Sequence, residues 1–556
     1  MFRHGPELVE GGVRFRVFAP RLERLAVRVD GQDHPMERGE CGAFSVLVRG
    51  AGHGTNYQLV LPGGEARPDP ASRWQPQGVH GPSRVFDPGL HLWRTTFPGR
   101  PLEELVFYEL HVGAFSEEGT LASAAERLDD LAELGVTCVE LMPVQPFPGS
   151  RNWGYDGVYP WAVHQAYGGP AALQDFVDRA HVLGLAVCLD VVHNHLGPEG
   201  NYTANFAPFF TARHRSPWGD GLDFDGQGAG PVRDFFVGSA LQWVREFQVD
   251  ALRLDATHAI MDQGPRHLVA EVVEATAAEA ARSGRRIQIV AEDERNDRRV
   301  LDPPPRGWGC SAVWADDLHH ALHALLTGER GRFLCDFGSP DEVVEALAHG
   351  FAFRGRPSAY RGGRTHGTDV QDLAPSRFVV CDQNHDQVGN RPLGERLTTL
   401  MPWEALRPVS TLLLLGSGLP LLFMGEEYGE EHPFLYFTSH ADPALGRAVS
   451  EGRRAEYFAE AGGQVPDPQD PETFRRSRLS HRRDGRHGQR REEIRQLLSL
   501  RRQHLSEISQ RWPTVERDGL VFTLRRPRLL VRANLSAEAR SGLPPWGTLV
   551  RSAAPA

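Results

Sequence analysis

The chain of 556 residues contains no lysine, so all 61 of its basic residues are arginine. This absence excludes reactions that need a lysine amine, including Schiff-base catalysis, general-base catalysis by lysine and phosphate binding by a Walker loop. Acidic residues outnumber basic ones, and the formal net charge of -11 argues against a nucleic-acid-binding protein, which would present a basic face. We therefore expect neither a lysine-dependent enzyme nor a nucleic-acid partner.

Cysteine is also scarce, with six residues and no CxxC spacing, so we expect neither a zinc ribbon nor a redox motif. The N-terminal residues lack the apolar segment of a secretory signal. The longest apolar run, residues 409–424, is interrupted by Gly416, Gly418 and Pro420 and is too short to span a membrane. The sequence therefore predicts a cytoplasmic protein without a membrane partner, and no cofactor is implied.

The length predicts more than one domain, and the patterns at the two ends differ from the middle. Residues 13–18 and 25–29 alternate apolar and polar side chains between turns rich in Gly, Pro and Asp. This pattern predicts an N-terminal immunoglobulin-like β-sandwich over residues 1–95. Strand-like residues 520–524 and 529–531 predict a short C-terminal β domain over residues 511–556.

Between these ends, short apolar runs alternate with amphipathic helical stretches, such as the predicted helix over residues 121–134. Runs that are apolar on both faces favour parallel strands covered by helices. The sequence therefore predicts an α/β fold, a (β/α)8 TIM barrel over residues 96–510 with large loops at 197–234 and 338–375. The eight candidate strands are residues 106–111, 136–142, 186–193, 251–255, 288–291, 312–314, 378–381 and 421–424.

Acids, histidines and asparagines follow five successive candidate strands, the third to the seventh. In a barrel enzyme the reacting groups lie at the carboxyl ends of the strands. Crowding acids at one rim is costly unless a ligand or a reaction uses them. The five strand-end sequences are DVVHNH at 190–195, DATH at 255–258, EDERN at 292–296, DDLHH at 316–320 and DQNHDQ at 382–387.

Glycoside hydrolysis needs a pair of carboxyl groups, which in retaining enzymes lie roughly 5–5.5 Å apart. Asp255 and Glu292 end adjacent strands and can meet that distance. Arg253 lies two residues before Asp255, hence on the same strand face, and would keep that carboxylate ionised. Repulsion by Asp255 and Asp386 should raise the pKa of Glu292 so that it carries a proton. We therefore predict a retaining hydrolase.

Other interpretations of the same residues remain open. A single Asp at a strand end often caps a helix, although five such strand ends together favour function. His193-Asn194-His195 could be a metal-binding pair, but hydrolytic metal barrels carry that pair on the first strand. His319 and His320 could be loop histidines without a function.

These strand-end motifs resemble those of the α-amylase superfamily, glycoside hydrolase family 13. The resemblance rests on DVVHNH, ALRLDATHA at 251–259, VAEDERN at 290–296, CDQNHDQVGNR at 381–391 and a fifth region at 152–170, which together cover the barrel. It implies that Asp255 is the nucleophile, Glu292 the acid/base and Asp386 the group that holds the sugar's 2- and 3-hydroxyls. By the same resemblance Tyr155, His195, Arg253 and His385 line subsite -1.

Finer details resemble the branch of this superfamily that releases trehalose from maltooligosyl trehalose by cutting the adjacent α-1,4 bond. They include the segments at 69–83, 254–260 and 424–443. The tail after the last helix is short for this branch, and Trp74 stands where a smaller polar residue is expected. The further substrate contacts implied are Leu254, Ala256, Thr257, His258, Asp316, Asp317, Leu318, His319, His320, Gln387, Val388, Gly389 and Asn390.

The alternatives within the superfamily are a glycogen branching enzyme and an isoamylase-type debranching enzyme. A third alternative is a catalytically inactive, amylase-like binding protein, which would lack one of Asp255, Glu292 or Asp386. Asn194 resembles a calcium-binding position of amylases, but without a supporting Asp cluster we predict no metal ligand. The N-terminal domain either binds carbohydrate or only packs on the barrel.

Overall fold

A closed barrel of eight parallel strands forms the centre of the protein, whose computed structural model describes residues 2–216, 218–458 and 464–553. All eight strands overlap the apolar runs found in the sequence, so the predicted barrel is confirmed. The strands, named β1 to β8 in chain order, are Phe107–Leu110, Cys138–Leu141, Ala186–Val191, Ala251–Leu254, Gln288–Ala291, Ala312–Trp314, Phe378–Val380 and Leu419–Phe423.

Helices cover the outside of the barrel and occupy several loops. Among the described residues, no helix is both long enough and apolar enough to cross a bilayer. The α-helices are Val112–Phe115, Leu121–Ala125, Leu128–Leu134, Gly169–Val182, Gly230–Glu246, Leu268–Ser283, Asp317–Thr327, Pro340–His349, His385–Gly389, Leu397–Leu400, Leu406–Leu415, Pro443–Glu456, Pro471–Arg476, Gly485–Gln503 and Leu505–Gln510.

Two helices differ from their sequence-based bounds. The helix predicted over 121–134 is two helices, because the Arg127 N–H bonds to the Ala124 carbonyl, three residues back, and the chain turns there. The last long helix, predicted over residues 492–508, begins instead at Gly485, inside the arginine-rich residues 474–491, and ends at Gln503. Its start was obscured in the sequence because arginine and glycine give little apolar periodicity.

The fifth repeat of the barrel departs from the strand-then-helix pattern. A short 3-10 turn, Arg298–Val300, lies between β5 and β6, where an α-helix was expected. Three consecutive prolines, residues 303–305, follow that turn. Proline lacks the N–H that a helix interior needs, so this connection cannot continue as a helix.

Two antiparallel sheets at the N-terminus form a sandwich that rests on the barrel. Its core contains Phe15, Tyr57 and Leu59, joined by Phe206 from the loop after β3. The Phe2 N–H also donates to Asp234, 2.6 Å away, at the start of a barrel helix. The sandwich strands are Gly5–Val9, Gly12–Phe18, Ala43–Arg49 and Glu37–Arg38 in one sheet, and Gln32–Pro35, Ala26–Val29, Asn56–Val60, Ala66–Arg67 and Ser83–Arg84 in the other.

The two long loops predicted at 197–234 and 338–375 have secondary structure of their own. The first holds the hairpin Phe210–Ser216 and Gly219–Leu222. The second holds the helix Pro340–His349 and the hairpin Arg356–Pro357 and Thr365–His366. The domain bounds 1–95, 96–510 and 511–556 stay a prediction, and residues 1 and 554–556 lie outside the described part of the chain.

A four-stranded antiparallel sheet near the C-terminus is fastened to the barrel by the buried Arg526. Its guanidinium donates to the carbonyls of Leu415 and Gly416, each at 3.1 Å, at the end of the helix Leu406–Leu415. A second arginine, Arg501 of the helix Gly485–Gln503, donates to the Leu414 carbonyl at 3.0 Å. The last carbonyls of a helix lack intrahelical partners, so these cations satisfy them. The sheet strands are Thr514–Asp518, Val521–Arg525, Leu529–Asn534 and Thr548–Ser552.

Removing the Arg526 side chain should destabilise the protein. In Arg526→Ala two buried carbonyls lose their donors, and we expect the free energy of unfolding to fall by about 2–3 kcal/mol. Arg525→Ala is the matched control, because its ion pair with Glu516 is more than half exposed (55% and 58%). We expect the control to lose less than about 0.5 kcal/mol in urea unfolding. Equal losses in both variants would contradict a capping role for Arg526.

Candidate active site

The guanidinium of Arg253, on β4, lies buried among three carboxyl groups at the carboxyl end of the barrel. Its Nη1 donates to Asp190 at 2.6 Å and to Asp255 at 2.9 Å. Its Nη2 donates to Glu292 at 2.7 Å. Since these acids end β3, β4 and β5, one cation holds three neighbouring strand ends together.

Asp255 is held in its ionised form by its neighbours. The Nδ2 of Asn194 donates to Asp255 Oδ2 at 2.7 Å, opposite the bond from Arg253 to Oδ1. Burial alone would raise the pKa of this carboxyl, but Arg253, His195 and the bond from Asn194 outweigh burial and hold the pKa below its ordinary value. Asp255 is therefore a carboxylate at neutral pH.

The pKa of Glu292 is shifted in the opposite direction to that of Asp255, although the same arginine binds both residues. Burial, with repulsion from Asp255 and Asp386, raises the pKa of Glu292 to about 8 against the pull of Arg253. Two donors from the described residues, Arg253 Nη2 at 2.7 Å and the Ala256 N–H at 2.9 Å, both end on Oε2. A proton on Oε1 would leave both bonds intact, so Glu292 can be a neutral acid at pH 7.

The backbone at Ala256 helps to place that second donor. Ala256 adopts the left-handed conformation, with φ 39° and ψ 56°. This conformation is unfavourable for a residue with a Cβ and costs about 1–3 kcal/mol, which surrounding structure must offset. Here the Ala256 N–H gains the Glu292 carboxyl as acceptor, and the next hydroxyl, of Thr257, donates to the Glu292 carbonyl at 2.7 Å.

Aromatic rings lie beside the three acids. The Tyr155 hydroxyl donates to Asp190 at 2.6 Å, and its ring stacks on His385 with centroids 5.1 Å apart. His195 stacks on Trp218, with centroids 4.5 Å apart and planes at 13°. The guanidinium carbon of Arg253 lies 4.3 Å from the Trp314 ring centroid. Flat, partly exposed rings next to paired carboxyls suit the apolar faces of a sugar.

Asp386 reaches the same cleft from the seventh strand end. It lies in the short helix His385–Gly389, whose N-terminal Asn384 accepts the Gln387 N–H at 2.8 Å. The Asn390 Nδ2 donates to Asp386 Oδ1 at 2.5 Å and fixes that carboxyl. Asp386 is half-buried, and its charge reaches Glu292. The structure therefore brings the three predicted catalytic acids together.

The cleft that contains these groups has a volume of about 1020 Å³. This volume fits several sugar rings, since small-ligand pockets span about 300–1,000 Å³. Of the residues named from the sequence, those lining it are Asp255, Glu292, Asp386, Tyr155, His195, Arg253, Ala256, His258, Asp316, Asp317, His319, His320, His385, Gln387 and Asn390.

The other residues predicted to contact substrate, Leu254, Thr257, Leu318, Val388 and Gly389, are buried outside this lining. The predicted motifs included them because they neighbour cleft residues in sequence. On a strand or helix, sequence neighbours point to different faces, so they pack into the core instead. A Cβ on Gly389 would lie 2.1 Å from the Trp153 ring, so this position only admits glycine without rearrangement.

The segment after β6, where the helix Asp317–Thr327 begins, has two kinds of residue. The Asp317 Oδ2 accepts the N–H groups of Ala352 and Phe353 at 2.7 and 3.0 Å, so it anchors a neighbouring loop. Asp316 lines the cleft, and burial with repulsion from Asp386 raises its pKa to about 7. Burial lowers the pKa of His320 to about 3, so this ring is neutral where it faces the cleft.

Several cleft residues were not identified from the sequence. Trp218 is 52% exposed and sits at the hairpin after β3, and Tyr360 and Tyr436 also line the cleft. Glu109, on β1, is also close, because it binds His385. An exposed aromatic residue in a Gly- and Pro-rich loop was a usable signal for Trp218, but no local pattern marks the partner of a buried charge.

Asn194 is the residue whose position resembles a calcium ligand of amylases, so its contacts show what its side chain binds here. Its amide is directed at Asp255, since Nδ2 donates to both the carbonyl and the carboxyl of that residue, at 2.8 and 2.7 Å. Within the described ranges, no group of three or more His, Cys, Asp or Glu side chains is placed to hold a metal ion. The amide of Asn194 therefore supports Asp255.

Known proteins resemble this chain over most of its length. Residues 107–237 match the alpha-amylase catalytic domain. The malto-oligosyltrehalose trehalohydrolase of Saccharolobus solfataricus is 43% identical over 478 residues, 86% of this chain and 83% of that protein. The protein of the same name from Rhizobium sp. is 43% identical over 510 residues, 89% and 85% of the two chains. A solved Salmonella typhimurium structure, named as an alpha amylase, gives a TM-score of 0.92 at 39% identity and covers 99% of both chains.

The opposite pKa shifts of the two acids can be tested on the free protein. In Asp255→Asn the pKa of Glu292 should fall from about 8, because a neighbouring negative charge is removed. Asp386→Asn should lower it less, since Asp386 contributes less to the shift. Infrared titration of the carboxylic-acid band that disappears in Glu292→Gln would measure it. A pKa of Glu292 that is the same in all forms would show that the acids do not interact.

Proposed function

The chain belongs to the malto-oligosyltrehalose trehalohydrolase family, and from that premise we propose that it cleaves the α-1,4-glucosidic bond next to the terminal α,α-trehalose of maltooligosyl trehalose. The products are trehalose and a shortened maltooligosaccharide. Its relatives over more than four-fifths of the chain carry this name, and residues 107–237 match an alpha-amylase catalytic domain. The protein is thus a glycoside hydrolase.

One observation carries the proposed mechanism: a single guanidinium binds two carboxyl groups whose pKa values move in opposite directions. A retaining glycosidase needs one ionised nucleophile and one protonated acid at the same pH. Asp255 has the properties of the first and Glu292 those of the second. Asp386, at the cleft and near Glu292, is assigned to the sugar hydroxyls.

The reaction has two steps. An oxygen of Asp255 attacks the anomeric carbon, while the proton of Glu292 passes to the glycosidic oxygen, so that the C–O bond breaks and trehalose leaves. Glu292, now a carboxylate, then takes a proton from water, which attacks the anomeric carbon and releases Asp255. Two inversions give net retention, so the new reducing end is the α-anomer.

Residues that line the cleft supply the sugar contacts in this proposal. Tyr155, His195, Arg253 and His385 surround the -1 sugar, and Tyr155 offers its ring face. Asp316, His320, Gln387 and Asn390 lie on the side after β6 and β7, where the trehalose unit is placed. Cytoplasmic location stays a prediction.

Substitution of either acid should abolish turnover. We expect Glu292→Gln to lower kcat about 10²–10⁴-fold, the usual contribution of general acid catalysis, and Asp255→Asn to lower it at least as much. Substrate binding, measured by calorimetry, should persist in both variants and is the control for folding. A variant with near wild-type turnover would refute the assignment of that residue.

Specificity for the trehalose end is tested with two substrates of equal length. Maltotriosyl trehalose should give free trehalose, and maltopentaose should be cut far more slowly, because it lacks the α,α-linked terminal unit. Branched product from amylose would instead identify a branching enzyme, and cleavage of α-1,6 bonds a debranching enzyme.

The pH dependence follows from the two shifts. Glu292 must be protonated, so kcat/KM should fall as the pH rises through about 8. Asp255 must be ionised, and its lowered pKa places the acid limb below the ordinary carboxyl range. A pH series with maltotriosyl trehalose measures both limbs. Loss of activity already between pH 5 and about 6 would contradict the lowered pKa of Asp255.

A further inference from the structure

Both carboxyl oxygens of Glu109, a buried residue on β1, bind His385 of the cleft. Glu109 is 1% exposed and lies beneath the cleft. Its Oε2 accepts the His385 backbone N–H at 2.8 Å, and its Oε1 accepts from the His385 Nδ1 at 2.5 Å. Both oxygens therefore hold His385, once through the main chain and once through the ring.

Hydrogen bonds determine the protonation of both ring nitrogens of His385. Nδ1 faces a carboxylate, which only accepts, so Nδ1 carries a hydrogen. Nε2 lies 2.8 Å from the Tyr155 hydroxyl, and that hydroxyl already donates to Asp190 at 2.6 Å. The hydroxyl oxygen must then accept from Nε2, which carries the second hydrogen. The ring is therefore an imidazolium.

The charges around the ring agree with this assignment. Burial lowers the pKa of His385, but the charge and hydrogen bond of Glu109 outweigh burial and raise it to about 9, with Asp386 adding to the effect and Arg253 opposing it. The titratable or charged groups that face the ring from all surrounding elements are Glu109, His111, Glu140, Tyr155, Asp190, Arg253, Asp255, Asp316 and Asp386.

The contacts continue from His385 to the proposed catalytic acids. Tyr155 accepts from the imidazolium and donates to Asp190, and Asp190 accepts from Arg253 at 2.6 Å. If His385 lost its Nε2 hydrogen, the Tyr155 hydroxyl would turn toward that nitrogen and leave Asp190. Asp190 would then lose the hydrogen bond from Tyr155 and keep the one from Arg253. The protonation of His385 thus reaches Arg253 in three hydrogen bonds.

We propose that Glu109 is a positioning residue that keeps His385 as an imidazolium and so fixes the orientation of Tyr155, Asp190 and Arg253. This inference rests on the proposed function for its effect on turnover, but not for the protonation of the ring. Glu109 itself does not line the cleft, so it acts on the reaction only through His385.

Glu140 provides a matched control on the neighbouring strand. It lies on β2 directly opposite Glu109 in the strand register and is equally buried, at 1% exposed. Neither of its oxygens has a hydrogen-bond partner among the described residues. Burial, with repulsion from Glu109, raises its pKa well above the ordinary value, which favours the uncharged form. Glu140→Gln therefore changes the same layer of the barrel without removing a hydrogen bond to His385.

The first test follows the His385 ring by NMR in the wild-type protein. The chain has 24 histidines, so the signal of a carbon-13-labelled ring is assigned by its loss in His385→Gln. We expect the ring to stay protonated at neutral pH, with a midpoint near 9. In Glu109→Gln the midpoint should fall to the ordinary 6.5 or below, because the charge that does most to raise the pKa of His385 is removed while burial and Arg253 still lower it. Glu140→Gln should keep the wild-type midpoint.

The second test is the pH profile of turnover. With a midpoint of 6.5, only about a tenth of the rings are protonated at about pH 7.5, so kcat/KM of Glu109→Gln should be about tenfold below wild type there and recover at lower pH. A merely structural role would lower activity at every pH without moving the profile, and that result would overturn the proposal.

A neutral His385 in the wild-type protein at pH 7 would also overturn it, even if Glu109→Gln fails to fold. An equal shift of the midpoint in Glu140→Gln would do the same, since it would show that any change in this layer alters the ring. If the protein released no trehalose, the proposed function would fail, while the NMR midpoints would still decide the role of Glu109.

Discussion

The guanidinium of Arg253 is the group on which the arrangement of the site depends. It lies almost fully buried and binds Asp190, Asp255 and Glu292 at 2.6–2.9 Å. One positive charge cannot stabilise three ionised carboxylates in a buried site, so one acid retains its proton. The acid with the most raised pKa among the three is Glu292, at about 8, against about 6 for Asp190 and a lowered value for Asp255. The proposed division into nucleophile and acid thus follows from the unequal effects of burial and neighbouring charges on the three acids.

The barrel makes this balance possible because it brings distant parts of the chain to one rim. Asp190, Arg253, Glu292 and Asp386 are separated by up to 196 residues, yet β3, β4 and β5 are neighbours, and β7 lies only one strand beyond β5 in the same barrel. Each of these strands needs only three to six residues to deliver one side chain. Precision then comes from short supporting contacts, such as those of Asn194 with Asp255 and of Asn390 with Asp386.

The eight strands and the three acids of the cleft were predictable because their signals are local. Apolar runs of strand length recur along the barrel, and a strand end is adjacent in sequence to the side chain that it presents. The regular repeat suggested a helix between β5 and β6, where the structure has a 3-10 turn. The prolines at 303–305 argue against that helix, because proline lacks the N–H that a helix interior needs.

The features of the site that could not be predicted depend on contacts between residues that are remote in sequence. Glu109 and His385 are 276 positions apart, and a glutamate in an apolar run gives no sign of its partner. Likewise, Leu254 and Val388 sit inside functional motifs but face the core, because a motif does not state which side of an element each residue takes. Orientation and long-range pairing require the folded chain.

The contacts of Arg526 with the helix Leu406–Leu415 can form only late in the synthesis of the chain. The helix Leu406–Leu415 leads into β8, the strand that closes the barrel against β1. Its final carbonyls obtain their donors from Arg526, more than a hundred residues later in the chain. As the ribosome makes the protein from its N-terminus, that end of the helix stays without these partners until the C-terminal sheet emerges. The end of this helix is therefore completed by a residue that is translated after all eight barrel strands.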